Sequence, residues 1–169
     1  IRNQHFKGKD PQLVEKILKA LTLLELLAQE NVPFTFNGGT CLLLLLNTPQ
    51  RFSIDLDLIV TQGSNLLNAL ERICKTASMF IRVEEDKRAE SKIPKAHYKV
   101  FYQSDINEKE AYVLVDLIED SSPYPLTIAS EIRPNYFQTS APYHAVNTPS
   151  INGILGDKLT AFAPRTTGI

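Results

Sequence analysis

The sequence predicts an α/β (α+β) domain, a small mixed sheet flanked by helices. Three observations lead there. Apolar residues recur at three- and four-residue steps in segments near 11–29, 64–74 and 149–162, the period of amphipathic helices. Between them lie short alternating apolar runs bounded by turn residues, which read as strands. One stretch, Phe34–Thr40 followed by an apolar run, has the order strand, tight glycine turn, helix.

At 169 residues the chain is about one domain, large enough to bury a real core. Its 43% hydrophobic and 22% charged residues are ordinary for a soluble globular protein. A net charge of −1 exerts no global pull on nucleic acid, so any RNA or DNA contact has to come from a local patch. Cys41 and Cys74 are too few and too unpatterned for a disulfide framework or a zinc site, which makes a reducing cytoplasm the default. No signal peptide or membrane span is visible, and the apolar run Cys41–Leu46 is much too short to cross a bilayer. The chain starts without Met and stops at Ile169 with no closing element. It therefore reads as one domain over 1–169, a fragment of a longer protein.

In order, Asp10-Pro11 starts a helix running to about Gln29, with Leu13, Ile17, Leu21 and Leu24 on its apolar side. Glu15 and Lys19 form an exposed pair one turn apart. After the central stretch, Gln62-Gly63-Ser64 is a turn, with Ser64 capping a helix whose apolar face holds Leu66, Leu70, Ile73 and Cys74. Met79 to Val83 reads as a strand and Glu84 to Lys92 as a charged loop. Tyr98–Tyr102 and Ala111–Ile118 are strands joined by a polar turn at Ser104–Asn107. A strand pair covers roughly Leu126–Ser130 and Tyr143–Asn147, and a helix covers Pro149–Phe162. His97 and His144 have no carboxylate or Cys partner at ligand spacing and read as structural or surface residues.

The chemistry concentrates in Phe34-Thr35-Phe36-Asn37-Gly38-Gly39-Thr40 and Arg51-Phe52-Ser53-Ile54-Asp55-Leu56-Asp57-Leu58. Gly38-Gly39 lets the backbone approach a ligand closely, and Thr40 is the expected N-cap of the following helix. Amides at a helix start favour an anion such as a phosphate. Strand alternation puts Asp55 and Asp57 on one face, where two carboxylates repel unless a cation neutralises them. Hard oxygen ligands suit Mg²⁺, which keeps waters and completes its shell with substrate phosphates. Asp116, alone in the apolar strand Val113–Ile118, is either a hydrogen-bonded structural group or a third acidic ligand. Arg51 grips a phosphate bidentately or serves a structural ion pair.

These two segments resemble the nucleotidyltransferase superfamily that includes DNA polymerase beta, and within it the AbiEii/AbiGii toxin family of toxin–antitoxin and phage-abortive systems. A further likeness lies in Gly156-Asp157-Lys158-Leu159-Thr160-Ala161-Phe162, which is similar to that family's second signature. The resemblance implies transfer of an NMP from an NTP to an acceptor hydroxyl at a two-Mg²⁺ site. Asp55 and Asp57 would hold both metals, and Asp116 the catalytic one. Gly38, Gly39 and Thr40 would cradle the triphosphate, with Arg51 and Ser53 beside it and Lys158, on resemblance alone, contacting it. It further implies an RNA acceptor such as a tRNA 3′ end, a cognate antitoxin and a helical C-terminal part. A small-molecule or protein acceptor, and a silent nucleotide-binding module, stay open as alternatives.

Overall fold

The computed structural model describes residues 10–47, 53–87, 95–134, 137 and 140–162. Helix α1 spans Pro11–Gln29, and Asp10 caps it by accepting a hydrogen bond from the Gln12 amide at 3.0 Å. Its apolar stripe, Ile17, Ala20, Leu21, Leu23, Leu24 and Leu27, is buried. Glu15 departs from the solvated pair expected of it. It is only 8% exposed and accepts from Ser104 Oγ at 2.7 Å and the Asp105 amide at 2.6 Å. Lys19 turns instead to Asp105 at 3.2 Å. Two charge-assisted bonds in a shielded place outweigh an exposed helical pair, whose contribution is a few tenths of a kcal/mol.

The chain continues as β1 (Phe34–Asn37), α2 (Gly38–Leu45), β2 (Leu56–Val60), α3 (Leu66–Thr76) and β3 (Arg82–Glu85). Then come β4 (Lys95–Gln103), β5 (Glu110–Glu119), β6 (Thr127–Glu131), β7 (Ala145–Pro149) and α4 (Ile151–Phe162). Seven strands form one mixed sheet in the order β3-β4-β5-β2-β1-β7-β6. The β2–β5 and β1–β7 pairs are parallel and the others antiparallel. The α/β expectation therefore holds, with a sheet whose centre is the β1–β2–β5 group.

Several boundaries move; Glu84 and Glu85, expected in a charged loop, extend β3, and β4 already begins at Lys95. Helix α2 begins two residues before Thr40, because the Asn37 side chain accepts from the Gly38 amide and caps it there. Asn65, not Ser64, occupies the N-cap position of α3. Strand β3 starts at Arg82 rather than Met79: Met79 is 41% exposed, and the Ile81 amide makes the first bond to β4, donating to Phe101 O at 2.8 Å.

One face of the sheet is apolar. Leu56, Leu58 and Val60 on β2, Tyr98, Val100 and Tyr102 on β4, and Val113, Val115 and Leu117 on β5 join the α1 and α3 stripes in the core. Each such side chain contributes about 1.5–3 kcal/mol by leaving water. Period-2 alternation sends the intervening residues, including Asp57, His97 and Asp116, to the opposite and half-exposed face. Among the described residues no helix is long and apolar enough to cross a membrane.

Candidate active site

Strand pairing sets four polar residues in one line across the half-exposed face. Asn37 on β1 is the register partner of Asp57 on β2, Asp57 of Asp116 on β5, and Asp116 of His97 on β4. Neighbouring strands lie about 4.8 Å apart, and register partners project to the same side. The backbone therefore holds two carboxylates side by side whether or not they attract.

They do not. The Asp57 carboxyl is pushed up to about 6, first by burial and then by the negative charges of Asp116 and Asp55, while Lys158 pulls it back down. Asp116 is stabilised from the other side, where His97 Nδ1 donates to its Oδ1 at 2.6 Å. The His97 and Asp116 side chains are 17% and 28% exposed, shielded but open to the cavity beside them.

The glycine turn abuts this line. Gly38 has φ +78°, and a β-carbon there would lie 1.8 Å from Asp57 Oδ2. A side chain is excluded both by the left-handed backbone and by the carboxylate. A β-carbon on Gly39 would lie 2.9 Å from Ser53 Oγ. The loop carrying Ser53 thus packs against the helix start.

A cavity of about 510 Å³ opens over the line. Gly38, Asp57, Asp116 and His97 line it, with Ile59 and Ile118 one row further along the strands and Asp157 and Lys158 contributed by α4. Helix α4 is held in place from below. The Tyr124 hydroxyl donates to Asp157 Oδ2 and is also bonded to the Asn37 side chain. Tyr124 is 9% exposed, and its hydroxyl is pushed to a higher pKa by burial and by Asp157.

Of the residues singled out in the sequence, Gly38, Asp57, Asp116 and Lys158 meet at this cavity. Asp55 precedes β2 rather than alternating within it, yet lies close enough to raise Asp57. Gly39 and Ser53, packed against each other, do not line the cavity. Thr40 is fully buried, and its hydroxyl has no hydrogen-bond partner among the described residues. Arg51 lies outside the described residues. His97, Asn37, Lys95 and Asp157 are cavity residues that sequence reasoning did not select. For His97 a signal existed: folding the two strands back about the Ser104–Lys109 turn pairs it with Asp116.

Among the described residues no three His, Cys, Asp or Glu side chains form a ready-made metal-binding group. The donor set nonetheless fits a hard divalent cation. Burial, with the neighbouring charges of Asp116 and Asp55, raises Asp57, and Mg²⁺ needs only one or two protein carboxylates when phosphates and water complete its shell.

A family model for the nucleotidyl transferase AbiEii toxin of type IV toxin–antitoxin systems matches residues 22–168. Among solved structures, JHP933 from Helicobacter pylori superposes with a TM-score of 0.61 at 21% identity, covering 92% of this chain and 59% of that one. A candidate nucleotidyltransferase, also from H. pylori, gives a TM-score of 0.57 at 20% identity over 89% of this chain and 59% of that one. At such identities the likeness speaks to the fold alone, and the chain spans less than two thirds of either neighbour's length. No curated protein matches the chain.

Proposed function

This chain belongs to the AbiEii family of nucleotidyl transferase toxins, and on that premise we propose that it moves an NMP from an NTP to an acceptor hydroxyl on RNA, such as a tRNA 3′ end. The observation that carries the reading is the register pair Asp57–Asp116 under a cavity that also receives the Gly38 turn and Lys158. A carboxylate pair beside a cation and a glycine-opened helix start is an arrangement suited to a Mg²⁺–triphosphate.

Asp57 and Asp116, with Asp55 beside them, are the residues that would hold Mg²⁺. When bound, the metal would polarise the α-phosphate and neutralise developing charge. The Gly38 backbone leaves room for phosphate oxygens next to the α2 amides, where the helix dipole favours an anion. Lys158 adds a cation to the same cavity. The acceptor oxygen attacks the α-phosphorus, the bond to the β-phosphate oxygen breaks, and pyrophosphate leaves. Asp116, on the far side of Asp57 from the glycine turn, takes part in removing the hydroxyl proton. Gly39, Thr40, Ser53 and Arg51 complete the proposed nucleotide-binding segment, and a cognate antitoxin is the proposed protein partner.

The test is incubation of the full-length protein with each α-labelled NTP, Mg²⁺ and total bacterial RNA, beside Asp57→Ala and Asp116→Ala variants. Label in an RNA band only with both carboxylates intact supports the reading. Label on a small molecule or a protein, with none on RNA, overturns the RNA acceptor.

A further inference from the structure

We infer that His97 is a positioning residue that aims Asp116, an inference that rests on the metal-dependent reading above. Three observations converge on it. His97 Nδ1 and Asp116 Oδ1 are 2.6 Å apart, the short separation of a charge-assisted bond. His97 lies within β4, which is paired on both edges, and its own carbonyl accepts from the Asp86 amide at 2.7 Å. The imidazole is thus carried by fixed backbone. Finally, it is the next residue in the line after Asn37, Asp57 and Asp116 and lines the same cavity.

An ionised carboxylate only accepts, so Nδ1 carries the proton of this bond. A carboxylate turns easily about its terminal torsion. Beside the like-charged Asp57 it would swing away, toward solvent, lowering the repulsion and spoiling the shared site. The bond to His97 engages one oxygen and leaves Oδ2 for a cation held jointly with Asp57. Groups that hold a metal-binding carboxylate in this way typically alter metal affinity or activity 10–100-fold when removed.

The experiment measures Mn²⁺ binding by the full chain, from the paramagnetic signal of free Mn²⁺, with a non-hydrolysable α,β-methylene NTP analogue present. His97→Leu removes the donor. His97→Asn places an amide N–H where Nδ1 stood, and His97→Gln places it about one bond too far. The Mn²⁺ dissociation constant should rise about 10–100-fold for Leu and Gln and stay within about threefold of the original for Asn. Transfer assays should show kcat falling in the same order with KM for the NTP nearly unchanged. Circular dichroism identifies any variant that fails to fold; Asn and Gln, both polar, carry the comparison if Leu does. Equal Mn²⁺ affinity in all folded variants, or Asn as impaired as Gln, overturns the role. Absence of label on any acceptor, with the Mn²⁺ order preserved, overturns the transfer reading and leaves the role of His97 standing.

Discussion

Gly38, the first residue of α2, follows the register partner of Asp57 so closely that a β-carbon on the glycine would lie 1.8 Å from the carboxylate's Oδ2. The glycine is required by the acid it adjoins as much as by any ligand. Gly38→Ala must displace Asp57 and also strain a backbone at φ +78°, a conformation costing an L-residue about 1–2 kcal/mol. Gly39→Ala meets Ser53 Oγ at 2.9 Å and Ser53 Cβ at 3.0 Å, contacts that a shift of the Ser53 segment by a few tenths of an ångström relieves. Thermal denaturation and Mn²⁺ titration should rank Gly38→Ala as much the more damaging; equal effects would contradict the geometry.

Asp57 should destabilise the metal-free protein. Its folded-state carboxyl is raised from 3.8 to about 6, so between those values the folded state holds a proton that the unfolded state has released. Stability then falls as pH rises through that window, by on the order of 2–3 kcal/mol for this group alone. Asp57→Asn should therefore raise stability at pH 7.5 while leaving it little changed at pH 3.5, and should abolish Mn²⁺ binding. Urea melts of both proteins at the two pH values, with and without Mg²⁺, check the sign. Mg²⁺ should stabilise the original protein and not the variant.

Tyr124 joins Asn37, at the end of β1, to Asp157 on α4. Removing its hydroxyl takes a partner from half-buried Asn37 and from Asp157, which is exposed and can turn to water, a cost of about 0.5–1.5 kcal/mol. Because Asp157 neighbours Lys158, Tyr124→Phe should also weaken NTP binding a few-fold, which calorimetric titration reads directly. Lower stability with unchanged NTP affinity would limit Tyr124 to a structural tie.

Glu15 offers a prediction remote from the cavity. It fastens α1 to the β4–β5 turn through Ser104 and the Asp105 amide. Glu15→Ala should cost about 2–3 kcal/mol, and Glu15→Gln distinctly less, since an amide oxygen still accepts. Urea unfolding of the two variants separates a buried acceptor from the solvated helical charge that spacing alone suggests.

Local sequence determined a good deal. Asp10-Pro11 starts α1 because a capping side chain and a fixed φ act within one turn. Asp57 and Asp116 stand out in the sequence because charge inside an apolar strand is costly without a reason, and both reach the cavity. Lys158 was legible only through its resemblance to a known signature, for a helical lysine is ordinarily solvent-facing. Register was decided by the tertiary structure. The alignment of Asn37, Asp57, Asp116 and His97 joins residues up to 79 positions apart through three separate strand pairings. His97 looked partnerless because its carboxylate is a strand away rather than a few residues away. Glu15 looked solvated because the turn that buries it lies 89 residues downstream. Caps and periodicity depend on neighbours along the chain and can be read from it; a site built by strand pairing depends on neighbours across the sheet, which only folding brings together.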